Sequence, residues 1–190
     1  WGDGIDIQYD DETATHNVNI YIENIICDNN ARQGISVEDG TNVYICNSIF
    51  SNTGKTFGRA PKSGIDIEPA YINAIIKNIK IDGCQFTENV SANIVVDQSV
   101  GTWIGDTIIT NTFGDNRLQL MNGYNNSSKV IVKDSIFDSL RLNDAPYICI
   151  DGCQFKRISH GAGNIRKLEI SNSEIYGKFD DTSTVFLNFA

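Results

Sequence analysis

A glycine followed by alternating apolar and polar residues occurs three times in the first third of the chain. The copies span residues 4–8 (GIDIQ), 34–38 (GISVE) and 64–68 (GIDIE). The alternation predicts a β-strand at each copy. A recurrence of about 30 residues is typical of stacked repeats, in which each unit buries its apolar side against its neighbours. The repeat therefore restricts the chain to a layered β architecture.

The register of these strands predicts a row of carboxylates on one face. Successive side chains of a strand point to opposite faces, so the aliphatic residues turn inward and the polar residues turn outward. Acidic residues occupy the early outward positions and then stop. The two outward columns read Asp6, Ser36, Asp66, Val95, Gln119, Arg141 and Gln8, Glu38, Glu68, Asp97, Met121, Asn143.

A second unit alternates with the first along the chain. It is a short apolar-polar-apolar strand followed five residues later by a large apolar residue. The sequence has three prolines and no apolar period of 3.6 residues, which excludes a helical protein. The markers of this unit are Ile25, Phe50, Phe86, Phe137, Phe155 and Ile175.

Two alternating strand types and regular spacing favour an all-β fold, a right-handed parallel β-helix of about seven coils. We expect one domain over residues 1–190, with acidic, loop-bearing coils in about 1–100 and shorter coils in about 101–190. The chain begins in mid-pattern, which is typical of a segment of a longer chain. The polar segments 10–16 and 53–62 are predicted loops beside the acidic strands, where function usually resides.

Charge and composition exclude several classes of function. The formal net charge of −9 argues against nucleic acid as a partner, because phosphate binding needs clustered Lys and Arg. No apolar run reaches the length of a transmembrane helix. The five cysteines lack metal-ligand spacing and are predicted to be reduced core residues, so no metal site is assigned to them. His16 and His160 are predicted loop residues.

Asparagines recur after the large apolar markers. Asparagine tolerates left-handed backbone and bonds to neighbouring main chain, so stacked asparagines at one turn form hydrogen-bonded ladders. A structural role is therefore predicted for Asn29, Asn52, Asn89 and Asn116.

Residues 32–37 (RQGISV), 50–54 (FSNTG), 60–61 (AP) and 64–69 (GIDIEP) carry a family resemblance. They resemble right-handed β-helix repeat proteins of the pectate-lyase-like superfamily, especially phage tailspikes and appendages and bacterial polysaccharide-degrading proteins. The resemblance implies a polysaccharide partner and an extracellular or virion-associated location. It also suggests a homotrimer, which the uncapped last strand at residues 184–189 would allow. The superfamily includes hydrolases, lyases, epimerases and non-catalytic members, so the resemblance does not choose the reaction.

The spacing of the acids favours glycoside hydrolysis. Glu38 and Glu68 should lie one strand apart, roughly 5 Å, and Asp66 about 7 Å from Glu68 along its own strand. These separations match the carboxylate pairs of retaining and inverting glycosidases respectively. Because neighbouring like charges resist joint ionisation, one carboxyl should have a raised pKa and act as general acid. The predicted catalytic residues are Asp66 and Glu68, followed by Glu38 and Asp6.

Four further residues are predicted to bind substrate, and Arg32 is suited to hold a substrate carboxylate or phosphate. Two alternatives remain open. One is β-elimination, with Arg32, Arg59 or Lys62 as the base and Ca²⁺ held by the acidic column. The other is a non-catalytic glycan-binding or structural shaft, whose acids only keep a rod soluble or hold a structural Ca²⁺. The predicted substrate-binding residues are Arg32, Asp97, Arg59 and Gln8.

Overall fold

Parallel β-strands form the regular structure of this protein. The computed structural model describes residues 2–56, 58–177 and 179–180, so the predicted strand at 184–189 lies outside the described residues. Every pairing between the strands is parallel, and the described residues include no helix that could span a membrane. The all-β prediction is confirmed.

The first row of paired strands contains the Gly-Ile repeats. Its order is β1 (Ile5–Ile7), β4 (Gln33–Val37), β7 (Ser63–Ile67), β10 (Ala92–Asp97), β12 (Phe113–Met121), β14 (Ile136–Asn143) and β16 (Gln154–His160). The first predicted outward column is confirmed, since Asp6 pairs with Ser36, Ser36 with Asp66, and Asp66 with Val95. The column continues through Gln119 and Arg141. Repeat spacing alone thus predicted the register.

The second sheet contains seven strands. They are β2 (Val18–Glu23), β5 (Gly40–Cys46), β8 (Ile75–Asp82), β11 (Thr102–Thr110), β13 (Lys129–Lys133), β15 (Ala145–Asp151) and β17 (Ile165–Ser171). The sequence pattern predicted six of them and missed β11. In β11, Thr107 takes the place that Ile79 and Val130 fill in the adjacent strands, so the alternation is hidden.

Three short strands form a further row that merges with the first. They are β3 (Ile26–Asp28), β6 (Ile49–Ser51) and β9 (Gln85–Thr87). The start of β12 pairs with β9 and its end pairs with β10, so the first sheet bends around the core. The chain ends in β18 (Glu174–Ile175) and β19 (Phe179–Asp180), which both pair with β16.

The large apolar markers stack inside this bend. Phe50 pairs with Phe86, and their rings are stacked 5.0 Å apart. Phe137 pairs with Phe155 in the same way. The first member of the column is Cys27, which pairs with Phe50. The prediction of Ile25 as the first marker was wrong, because Ile20–Ile22, two residues further along β2 than predicted, aligns with Val43–Ile45, and the position five residues later is Cys27.

Each strand of the first sheet pairs with the equivalent strand one repeat later, and the second sheet repeats the same succession. This arrangement is compatible with a parallel β-helix. The aliphatic residues of both sheets share one core.

Close packing explains the glycines of the repeat. A Cβ atom on Gly34 would lie 2.5 Å from the carbonyl oxygen of Gly64 and 2.8 Å from the ring of Phe50. A Cβ atom on Gly64 would lie 2.5 Å from the ring of Phe86. Only hydrogen fits where each strand passes over the aromatic stack, so glycine is needed for space rather than for a left-handed backbone.

We expect Gly64→Ala to destabilise the fold by about 1–3 kcal/mol, since the added methyl group must displace a buried ring or a backbone carbonyl. Denaturant unfolding of the wild type and the variant measures this change. Ser127→Ala is the matched control, because Ser127 is exposed. Equal unfolding midpoints for Gly64→Ala and the wild type would contradict the packing argument.

The asparagines serve the backbone, as predicted. Asn29 and Asn52 have positive φ, and the Asn89 amide bonds to the backbone of Phe50 and Thr53. Asn116 donates to the Asn89 carbonyl. A side-chain ladder that the sequence analysis did not identify links Asn19, Asn42 and Asn78 at spacings of 3.0 Å.

The cysteines are all free. Three are buried, and Cys46 and Cys149 are half-buried on the outer side of the second sheet. Burial raises the pKa of the Cys84 thiol to about 11, which suppresses its reactivity. The core prediction therefore holds for Cys27, Cys84 and Cys153.

Candidate functional site

The candidate site is the outer face of β1, β4, β7 and β10. Ser36 and Asp66 occupy this face within their strands, and Glu38 and Glu68 follow β4 and β7 directly. The backbone N–H of Glu68 donates to the carbonyl of Val37 at 3.2 Å, which continues the ladder to the glutamate position. The fold therefore brings the predicted catalytic acids onto one surface.

These acids are more buried than an outer face would suggest. Asp66 is 0% exposed, and Glu38 and Asp97 are each 7% exposed. Glu68 is half-buried, whereas Asp6 is exposed. The acidic band predicted for the outer face is open to solvent only at β1, where Asp6 lies. Neighbouring side chains cover the rest, and Gln33 of the adjacent strand contacts Asp66 directly.

Asp66 is the most perturbed carboxyl of the site. Gln33 Nε2 donates to its Oδ2 atom at 2.8 Å, while the buried Oδ1 atom has no partner among the described residues. Burial raises the pKa of Asp66 to about 7, and the charges of Glu68 and Asp97 add to this effect. The side chains of Asp66 and Glu68 are within hydrogen-bonding range. A proton on Asp66 can therefore be shared with Glu68.

The neighbouring acids are shifted in the same direction. Burial raises the pKa of Glu68, Glu38 and Asp6. The next cause is Asp97 for Glu68, Asp6 for Glu38, and Asp3 for Asp6. The positive charge of Arg32 opposes all three shifts. The positive charge of Arg32 thus partly offsets the repulsion within a cluster of carboxyls that resist full ionisation.

Asp97 and Gln8 lie at the ends of the site. Asp97 Oδ1 accepts hydrogen bonds from the backbone of Ser99 and from Asn122 Nδ2, both at 2.9 Å. Asp97 therefore fixes the turn after β10 while its charge acts on Glu68. Gln8 is exposed, and its side chain opposes the rise in the pKa of Asp6.

The predicted arginines lie together in a cleft at the start of the strands. Arg32, Arg59 and Asp6 line this cleft, which has a volume of about 390 Å³. Arg32 Nη1 lies 3.2 Å from Asp3 Oδ2. The backbone N–H of Arg59 donates to the carbonyl of Ala31, which attaches the 53–62 loop to this edge. The structure therefore joins three predicted site residues that are 26 to 53 positions apart in sequence.

The opposite edge carries a polar and aromatic cluster that the sequence analysis did not assign to the site. His16 Nδ1 lies 2.8 Å from Oδ1 of the fully buried Asp39. The Tyr9 ring lies 5.0 Å from the His16 ring and 5.8 Å from the Tyr71 ring. His16 is a loop residue, as predicted, but it is held in place. The same prediction for His160 was wrong, because His160 is the buried last residue of β16.

The positions of these residues within the repeats could have predicted that they lie close together. Tyr9 and Asp39 each follow a residue of the second outward column directly, and Tyr71 comes three positions after Glu68. Residues that follow the acids in each repeat reach the same corner of the fold. The 39% exposed Tyr71 ring therefore offers an apolar surface at the end of the acidic site.

Comparisons with protein-family models, curated proteins and solved structures found no match. Among the described residues, no group of three or more His, Cys, Asp or Glu is arranged to hold a metal ion. The chemistry of the site therefore has to be argued from its own geometry. That geometry supplies a buried carboxyl with a raised pKa, neighbouring acids, two arginines and an aromatic edge.

Proposed function

We propose that this chain is a right-handed parallel β-helix that binds an extracellular polysaccharide and cleaves it by glycoside hydrolysis. The observation that carries the proposal is the Asp66–Glu68 pair, in which burial keeps a proton available near neutral pH. A general acid works best when its pKa is close to the working pH. Right-handed crossover is the strong preference for connections between parallel strands.

Glu68 is the acid that reaches the substrate, because Asp66 is 0% exposed. Asp66 holds the shared proton behind it, and Glu68 delivers a proton to the glycosidic oxygen as the bond to the anomeric carbon breaks. Glu38 follows the adjacent strand, about 5 Å away, which suits a retaining mechanism. Glu38 attacks the anomeric carbon, and water then hydrolyses the glycosyl ester with Glu68 as base.

Binding extends to both sides of the acids. The cleft with Arg32 and Arg59 lies at one edge, and Tyr71 provides a surface for a sugar ring at the other. The resemblance to tailspikes and polysaccharide-degrading proteins motivates an extracellular or virion-associated location and a homotrimeric assembly.

A non-catalytic glycan-binding shaft is the second candidate. Two observations favour it, the complete burial of Asp66 and the use of Asp97 in a turn. In that case, the acids shape a groove and no bond is cleaved. A lyase using Arg32, Arg59 or Lys62 as base, with Ca²⁺ held by the acids, is a third possibility within the same fold.

The test is incubation with a panel of polysaccharides while reducing ends and unsaturated-uronate absorbance are followed. Hydrolysis yields reducing ends without new absorbance, whereas elimination yields both. Nuclear magnetic resonance of the first product reports retention or inversion. The enzymatic proposal is overturned if at least one glycan of the panel binds but no glycan yields reducing ends or unsaturated uronates.

A further inference from the structure

The outer face of the first sheet changes its charge along its length. Beyond β10, the outward column contains Gln119, Arg141 and Ser159 in adjacent strands. Arg117 pairs with Ser139, which pairs with Arg157, so two more arginines flank β14 from the strands on either side. The acidic end of the face thus gives way to a positive end.

Arg117 is held with part of its guanidinium unused. Its Nη2 atom donates to Ser91 Oγ at 3.0 Å, while its buried Nε atom has no hydrogen-bond partner among the described residues. Burial, followed by the charges of Arg141 and Arg157, lowers the pKa of Arg117. Three cations therefore share one surface, and one of them has a buried donor without an acceptor.

Local carboxylates are engaged elsewhere. Asp138 pairs with Lys156 at 2.7 Å, and Asp115 accepts hydrogen bonds from Thr87 and Glu88. Among the side chains described through residue 177, no carboxylate forms an ion pair with the three arginines. The positive end of the face is available to an external anion.

We propose that Arg117, Arg141 and Arg157 form an anion-binding site for an acidic substituent of the polysaccharide, a carboxylate, sulfate or phosphate. Guanidinium groups match these planar or tetrahedral oxyanions with paired N–H donors. Arg117 and Arg157 are two strand spacings apart, roughly 10 Å, with Arg141 on the strand between them. An oxyanion above β14 lies within reach of all three side chains.

The position of this site specifies the class of substrate, on the basis of the proposed function. The strand order β7-β10-β12-β14 places Arg141 three strand spacings from Asp66, about 14 Å. A continuous polyanion would set its charges against Glu38 and Glu68. The preferred substrate is therefore a mixed heteropolysaccharide, with a neutral sugar at the acids and an acidic sugar at the arginines.

Calorimetric titration tests the site, with sodium sulfate as a free anion and with neutral, mixed and uniformly acidic oligosaccharides. We expect Arg141→Gln and Arg157→Gln each to weaken sulfate and mixed-glycan binding about tenfold or more, as for a lost charge-assisted hydrogen bond. Lys133→Gln, on the second sheet, is the matched control for charge. Circular dichroism and thermal unfolding establish that the variants fold.

The outcomes separate this site from the proposed hydrolysis. Glu68→Gln should keep mixed-glycan binding, whereas Arg141→Gln should lose it. Sulfate binding through the arginines with no glycan cleaved would support the site and count against hydrolysis. Unchanged affinities in both arginine variants would overturn the site. Equal affinity for neutral, mixed and uniformly acidic glycans would overturn the inferred substrate class.

Discussion

Replacing Glu68 by glutamine is expected to reduce glycan hydrolysis by about 10²- to 10⁴-fold, the usual contribution of a general acid. Glutamine keeps the shape of the side chain but cannot release a proton to the leaving oxygen. Substrate binding should remain close to that of the wild type. The measurement is kcat from reducing-end release, together with binding affinity by calorimetry.

Glu23→Gln on β2 removes the same charge from an exposed position on the second sheet and serves as control. Glu38→Ala should also abolish turnover, and external azide should restore activity in that variant by entering the space of the missing carboxylate and attacking the anomeric carbon. Rescue of Glu38→Ala by azide with inverted product would identify Glu38 as the nucleophile. Wild-type kcat in Glu68→Gln would refute the assignment of the acid.

The buried Asp66 carboxyl should make the protein less stable as pH rises. In the unfolded chain Asp66 ionises near 3.8, whereas in the folded protein its pKa is raised to about 7. Between these values the folded state holds a proton that the unfolded state has lost, so the free energy of unfolding decreases with increasing pH. The full effect is at most about 4 kcal/mol, and it is complete above pH 7.

Asp66→Asn should remove this loss and stabilise the protein at pH 8. An asparagine amide can accept from Gln33 and donate to Glu68, and it carries no charge to bury. Chemical denaturation at pH 4, 6 and 8 compares the variant with the wild type and with Asp11→Asn, a change at an exposed loop residue. A parallel pH dependence in the wild type and Asp66→Asn would contradict the assignment.

Asp66→Asn also tests whether the buried acid lowers the stability of the protein in return for activity. Stability gained at pH 8 together with activity lost would indicate that the chain tolerates an unfavourable buried acid for the sake of function. Stability gained with binding unchanged and no activity in the wild type would favour the non-catalytic shaft.

Strand register was predictable because it depends on local periodicity. The spacing of Gly34 and Gly64 aligned Ser36 with Asp66, and the structure has the same pairing. β11 was not predicted, because Thr107 interrupts the aliphatic pattern that identifies its neighbours. Cys27 was missed as the first member of the aromatic column because Val18 extends the alternation of β2, so the strand was aligned with β5 two residues too early.

The local environment of the site was not predictable from periodicity. Alternation places Asp66 on the outer face but does not reveal that Gln33, from the preceding repeat, covers it. The contact of His16 with Asp39 joins residues 23 positions apart through a corner of the fold. The arginines at 117, 141 and 157 show no common motif, and they approach one another only because their strands are adjacent.

The sequence by itself determined the parallel β layers, the inward aliphatic rows and the columns in which the acids lie, because side-chain direction in a strand follows from position alone. Only the tertiary structure decided which of those acids are buried and which remain in contact with water. Solvation depends on neighbours contributed by other repeats, and solvation sets the pKa of a carboxyl. The repeat therefore placed Asp66 and Glu68 together, and the packing around them buried Asp66 completely and left Glu68 half-buried.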